Sequence, residues 1–283
     1  MLEVTNVSKK RGSFSLKDIS FQLPDGYIMG LIGANGAGKT TLIKLLLGLF
    51  SPDSGTICID GQEYSTAEHS IREQIGYVLQ EELFHSTLTA WENVDYYGYY
   101  YEKYDKELCR KYIEEFELDG SQKYKVFSKG EKLKLQLAFA LAHQPKYLIM
   151  DEPAGNFDPD FVKHFNRLLT DFVSDGAHSV LISTHQTESL ERVADYITFL
   201  QKGELLFSEN IEVLHSRYKM IQGESYKIRL LPEERIIYME EGEYGAKALA
   251  KNSRIHPFDP ALVVEDATIE EMMYFITKGG RIE

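Results

Sequence analysis

Cysteine is scarce. Cys58 and Cys109 are the only two in 283 residues, far apart and without C-x-x-C spacing. That argues against a zinc site or a disulfide framework and fits a reducing compartment. Long apolar runs are missing as well. A helix needs about 20 consecutive apolar residues to cross a bilayer, and the greasiest stretch, residues 41–50, is interrupted by Lys44 and Gly48. The first residues, Met-Leu-Glu-Val-Thr, show no basic segment followed by an apolar one, so a secretory signal is not expected. Positive charge is in deficit: 31 Lys and Arg against 44 Asp and Glu leave a formal net charge of −13. Nucleic acid is therefore not expected as a partner, because phosphate neutralisation needs clustered basic side chains. The acidic excess reads as solubility. There is no internal repeat and no low-complexity segment.

What is present is a globular composition, 43% hydrophobic, ample for one large domain or one plus an appendage. Residues 2–7 and 19–23 alternate apolar and polar side chains as half-buried strands do. Pro24-Asp25-Gly26 signals a turn, and 27–32 reads as a buried strand. A Gly-rich loop and a helix over 39–49 follow, then strands at 56–60 and 75–79. From about 85 to 143 the pattern is helical and rich in tyrosine. Strands and helices then alternate: strands at 147–150 and 179–183, helices at 160–173 and 186–193, and a hairpin of 196–200 with 205–207 around Lys202-Gly203. Such alternation predicts an α/β fold with a mostly parallel sheet covered by helices on both faces. A helix from 210 to about 220 leads into a small α+β tail, with strands expected at 226–231 and 262–265 and a last helix at 269–278.

Gly33-Ala34-Asn35-Gly36-Ala37-Gly38-Lys39-Thr40 fits G-x-x-x-x-G-K-[ST] and lies between a strand and a helix,. Glycines let successive backbone N–H groups turn inward toward phosphate oxygens, and the helix N-terminus faces the same anions. Lys39 can reach the β- and γ-phosphates, and the Thr40 hydroxyl can ligate Mg²⁺. The apolar strand 147–150 runs into Asp151 and Glu152. Ligands in open α/β sheets lie outside the carboxyl ends of strands, which places Asp151 at the Mg²⁺ shell and Glu152 where it can orient or deprotonate water. Gln80 and His185 follow other core strands and should reach the same edge, Gln80 toward Mg²⁺ or water and His185 toward the γ-phosphate. Ser128 with Glu131 three residues later is a capping box opening a helix.

The order of Gly33–Thr40, Gln80, Ser128-Lys129-Gly130-Glu131, Asp151-Glu152, Asp158 and His185 resembles the nucleotide-binding domain of ABC transporters over roughly residues 1–215. The resemblance implies a P-loop NTPase core with an antiparallel β subdomain and a helical insertion at about 85–143, followed by a C-terminal accessory domain at 216–283. It implies that Gly33, Asn35, Gly36, Gly38, Lys39, Thr40 and Thr41 bind ATP, that Thr40, Gln80 and Asp151 hold Mg²⁺, and that Glu152, His185 and Gln80 are catalytic. The family signature, usually LSGGQ, stands here as Phe127-Ser128-Lys129-Gly130-Glu131, with Ser128 and Gly130 kept. In the family it contacts the γ-phosphate held by the other subunit, and Asp158 belongs to the adjoining D-loop. Where the family stacks an aromatic on adenine, this chain has Arg11, with Phe14 nearby; either could serve. The partners implied are a separate transmembrane permease and a second ATPase subunit, as a homodimer or as a heterodimer with a paralogue, at the cytoplasmic face of the membrane. Ser-Lys-Gly resembles subunits that export antimicrobial or amphipathic peptides. An ABC ATPase serving iron–sulfur assembly is the alternative.

Overall fold

The computed structural model describes residues 1–185, 187–243, 245–253 and 257–279. The chain opens with an antiparallel pair, β1 (Leu2–Arg11) and β2 (Phe14–Leu23), in register from Leu2 opposite Leu23 to Arg11 opposite Phe14. Leu2, Val4 and Val7 are buried together with Leu16, Ile19 and Leu23, and a bulge between Val4 and Val7 keeps both on the core face. Then follow β3 (Ile28–Ile32), α1 (Lys39–Leu46), β4 (Ser54–Ile59), β5 (Gln62–Glu63), α2 (Tyr64–Glu73) and β6 (Ile75–Val78). β2-β1-β4-β5 form one antiparallel sheet.

The helical insertion comprises α3 (Ala90–Gly98), α4 (Lys106–Glu115) and α5 (Lys129–Ala142). After it come β7 (Tyr147–Asp151), α6 (Pro159–Val173), β8 (Ser179–Thr184), α7 (Thr187–Leu190), β9 (Tyr196–Gln201) and β10 (Glu204–Asn210). The main sheet has the order β10-β9-β3-β8-β7-β6. Its five strands from β9 to β6 are parallel, and β10 is an antiparallel edge.

The parallel strands are buried on both faces, as parallel sheets require. Tyr147 and Ile149 point into one apolar cluster, with α1 and the antiparallel sheet. Leu148 and Met150 point into the other, with α5 and α6. The sheet thus divides the core in two. It also brings the carboxyl ends of β3, β6, β7 and β8 to a single edge.

The tail contains α8 (Ile211–Arg217), β11 (Tyr218–Gly223), α9 (Ser225–Ile228), β12 (Ile236–Gly242), β13 (Gly245–Lys251), β14 (Val263–Asp266) and α10 (Ile269–Gly279). Its sheet runs β12-β13-β11-β14. The apolar cluster on the α5–α6 side continues from Leu190 and Leu214 through Met220 to Met272, Phe275 and Ile276 of α10. The Ile269 amide donates to the Glu191 carboxylate at 2.9 Å.

Several local expectations change. Residues 226–231 are not a strand: α9 occupies Ser225–Ile228, with Ile228 buried and Leu230 exposed. The helix after Asn210 stops at Arg217, because Tyr218 starts β11. The helix expected at 186–193 spans Thr187–Leu190; Gln186 lies outside the described residues. β13, Gly-Ala-Lys-Ala-Leu-Ala-Lys, carries residues that favour helices, yet it is an interior strand with Ala246, Ala248, Leu249 and Ala250 buried. Packing between β11 and β12 overrides the propensity.

Candidate functional site

The loop between β3 and α1 curls back on the sheet, and two of its glycines cannot be replaced. A Cβ on Gly33 would lie 2.4 Å from the Leu200 carbonyl oxygen. Gly38, at φ +113°, caps α1, and a Cβ there would lie 2.6 Å from Leu16 and 2.8 Å from the Phe14 ring. Lys39 is the first helical residue and is almost fully buried. Its ammonium donates to the Gly33 carbonyl at 2.8 Å and pairs with the Glu152 carboxylate at 3.2 Å. An ammonium out of water needs such partners.

The acidic strand end is held by hydroxyls. Thr40 Oγ1 donates to one Asp151 oxygen at 2.7 Å, and Ser183 Oγ donates to the other at 2.6 Å. Ser183 Oγ also accepts the Glu152 N–H at 3.0 Å. Glu152 sits at φ +48°, a left-handed conformation that is strained by roughly 1–3 kcal/mol for a side chain of this kind. The turn aims its carboxylate between Lys39 and His185, whose Nδ1 is 2.9 Å from Glu152 Oε2. Gln80, just beyond β6, donates from Nε2 to the Glu152 carbonyl at 2.7 Å. Lys39, Thr40, Gln80, Asp151, Glu152 and His185 therefore meet at one edge, from the ends of β6, β7 and β8 and the first turn of α1.

The loop borders a cavity of about 670 Å³, within the usual range for small-molecule sites,. Asn35, Gly36, Gly38, Lys39, Thr40 and Thr41 line it together with Glu152, Arg11, Gly12 and Phe14. The donor set fits Mg²⁺. Thr40 and Asp151 offer adjacent oxygens, and the Gln80 carboxamide lies at the same strand end. Mg²⁺ takes one or two protein oxygens and completes its shell with phosphate and water. Among the described residues no three acids, histidines or cysteines cluster as a metal cage.

Ser128, Gly130 and Asp158 do not line this cavity. Ser128 caps α5, accepting the Glu131 N–H at 3.2 Å while the Glu131 carboxylate accepts the Ser128 N–H at 2.7 Å. Gly130 faces the turn after β7 so closely that a Cβ would lie 2.6 Å from the Asn156 carbonyl. Asp158 caps α6: the Phe161 amide holds its carboxyl below the usual range, and Lys134 adds to this at 3.3 Å.

Two residues with structural parts in this arrangement escape sequence reasoning. Ser183 locks Asp151 and Glu152 together, but a serine within an apolar strand carries no distinctive spacing. Gln136, buried in α5, accepts the Leu79 N–H at 2.8 Å and donates to the Glu81 carbonyl at 3.0 Å, tying α5 to the segment around Gln80. Its one signal is a carboxamide among the apolar residues of Leu133 to Leu141.

The ABC transporter family model matches residues 16–155. The chain is 34% identical over 208 residues to the uncharacterized ABC transporter ATP-binding protein YdbJ of Bacillus subtilis, covering 72% of this chain and 68% of that protein. It is 33% identical to the bacitracin transport ATP-binding protein BcrA of Enterococcus faecalis, covering 77% of this chain and 71% of that protein. Among solved structures, the ATP-binding subunit of an ABC transporter superposes with a TM-score of 0.70 at 29% identity, covering 76% of this chain and 92% of that one.

Proposed function

The chain belongs to the ABC transporter family as an ATP-binding, ATP-hydrolysing subunit, and from that premise we propose that it powers export of a peptide or antibiotic-like amphipathic cargo through a separate membrane permease. The observation that carries the catalytic part is that Lys39, Thr40 and Glu152, which line the loop-bordered cavity, are bonded to one another and to the strand edge: Lys39 pairs with Glu152, Glu152 with His185, and Thr40 with Asp151.

In this reading the loop amides and Lys39 take the β- and γ-phosphates of ATP. Lys39 then exchanges part of its contact with Glu152 for phosphate oxygen. Glu152, released from that pair and still beside His185, orients and deprotonates the attacking water. His185 donates toward the γ-phosphate. Thr40, Asp151 and the Gln80 carboxamide oxygen would hold Mg²⁺, which when bound offsets charge on the β- and γ-oxygens. Ser128 and Gly130, which stand outside their own chain's cavity, serve the ATP of a facing subunit, a second copy or a paralogue. Residues 1–215 are the ATPase domain. Residues 216–283 are an accessory domain, none of whose described residues lines the cavity.

The cargo class rests on the likeness to BcrA and on Lys129 between Ser128 and Gly130. No helix among the described residues is long and apolar enough to cross a membrane; attachment to a permease at the cytoplasmic face rests on the family membership. Glu152→Gln should retain ATP binding while steady-state hydrolysis falls at least about a hundredfold. Turnover within about a factor of two of wild type removes Glu152 from the base role. Co-expression tests the transport part: the chain should sediment with membranes only alongside its permease, and tight binding to bare liposomes contradicts that requirement.

A further inference from the structure

His185 has little packing of its own. Its side chain is 44% exposed, and its Nδ1 meets Glu152 at 2.9 Å. A ring with so little around it lies where its backbone puts it. On one side that backbone is fixed by β8, where Thr184 pairs with Ile32 of β3. On the other it leads within two residues into α7, which packs on two elements. The first is β3: Leu190 lies where Gly30 has no side chain, and a Cβ on Gly30 would collide with Leu190 Cδ2. The second is α10 of the tail. Leu190 is 2% exposed and shares its apolar cluster with Met272, Phe275 and Ile276. The Ile269 amide at the start of α10 donates to the Glu191 carboxylate at 2.9 Å. That amide is one of the unpaired donors of a helix N-terminus, where negative charge is favoured as well. Asp195 closes the segment, its carboxylate accepting the Ile28 N–H at 2.8 Å.

We propose that Leu190 and Glu191 are positioning residues for His185: the tail, docked through α10, sets where α7 lies and so where the imidazole meets the γ-phosphate. The proposal rests on the reading of His185 as a donor to that phosphate. It gives the tail a part in turnover without a part in binding, since Lys39 and the phosphate loop line the cavity and no described residue of the tail does. Misplacing a reacting group by about 1 Å can cost about a hundredfold in rate. A displacement passed on through a packed neighbour costs less, roughly two- to thirtyfold. Binding and turnover should therefore separate when the α7–α10 contact is loosened.

Steady-state ATP hydrolysis by the full chain, with Tm and the imidazole proton resonances of the same variants, tests this. Glu191→Ala removes the acceptor for the Ile269 N–H, and kcat should fall about three- to thirtyfold while KM for ATP stays within about twofold. Glu191→Gln keeps a carbonyl oxygen at the same reach, so kcat should return to within about twofold of wild type. Met272→Ala loosens the contact from the tail side and should lower kcat in the same way, again with KM nearly unchanged. The His185 resonance, assigned by its loss in His185→Gln, should move in Glu191→Ala and Met272→Ala and return in Glu191→Gln. A purely structural role would lower Tm without moving it. An unchanged kcat in Glu191→Ala or Met272→Ala, a loss carried by KM, a failed recovery in Glu191→Gln or an unmoved His185 resonance overturns the proposal. His185→Ala separates the two levels. If its kcat stays at the wild-type value, His185 has no part in hydrolysis and the reading beneath the proposal fails. If its kcat collapses while Glu191→Ala is silent, the positioning role alone is lost.

Discussion

Asp151 has both carboxylate oxygens engaged, one by Thr40 and one by Ser183, so its orientation is fixed before any ligand arrives. Ser183 matters most, because the same hydroxyl accepts the amide of the strained Glu152. Ser183→Ala should lower kcat about ten- to hundredfold, the usual effect of removing an orienting partner, while ATP binding is largely kept. Hydrolysis kinetics with an equilibrium binding measurement check this, and an unchanged kcat contradicts the orienting role. At this scale the sequence is uneven. The spacing of the phosphate loop and the Asp-Glu at a strand end expose Lys39, Thr40, Asp151 and Glu152, because that chemistry demands fixed offsets. Ser183 acts across strands, at a distance of 32 residues from Asp151, and no local pattern encodes it.

Among the elements, α5 has two jobs. Its N-terminus carries Ser128 and Gly130, and its middle holds the segment around Gln80 through Gln136. Lys132 adds an ion pair to Glu82 on that segment. Motion of the helical insertion should therefore move Gln80 relative to Asp151 and Glu152. Gln136→Leu keeps the bulk but leaves the Leu79 N–H and the Glu81 carbonyl without this partner, a loss of about 1–3 kcal/mol. A lower Tm should accompany a lower kcat for ATP hydrolysis, and a variant with normal Tm and normal kcat contradicts the link. The parallel strands were legible, because residues buried on both faces leave short apolar runs between turn signals. The tail was less so: β13 is built of helix-favouring residues, and only its place between β11 and β12 makes it a strand.

Across the whole molecule, the core is sealed by groups with opposed demands. His143, at the end of α5, is buried, stacked 4.4 Å from Tyr101 and bonded to the Ile75 carbonyl. Burial lowers its pKa from the ordinary 6.5, against the opposing pull of the Ile75 and Phe139 carbonyls. The unfolded chain then takes up a proton that the folded chain resists, so this contribution is present above about pH 6.5 and is lost as pH falls below it. His143→Gln should flatten the decline in Tm between about pH 7.5 and about pH 5.5, and an unaltered slope contradicts the assignment. A second loss belongs at lower pH. Burial would raise the Asp60 carboxyl, but hydrogen bonds from Lys146, the Met1 amine and Tyr147 outweigh it and hold it at about 2. Its stabilisation is present above the unfolded value of 3.8 and disappears toward about pH 2,.

The tail shares this core, since Phe275 of α10 lies in the same cluster as Leu190. Phe275→Ala should destabilise the chain by about 3–5 kcal/mol while the phosphate contacts of the folded fraction stay intact. A Tm equal to that of wild type contradicts the shared core.

The central claim is that each ATP is held by one chain's Lys39 and met by the facing chain's Ser128 and Gly130. Subunit mixing tests it most directly. Lys39→Ala and Ser128→Arg should each be inactive alone, the first unable to hold the phosphates and the second blocking approach to them. A mixed dimer would contain one doubly damaged site and one intact site. With random pairing, hydrolysis should return to about a quarter of the wild-type rate, because half the dimers are mixed and each keeps one of two sites. If the signature instead served its own chain's ATP, both sites in every dimer would stay damaged, and mixing would restore nothing.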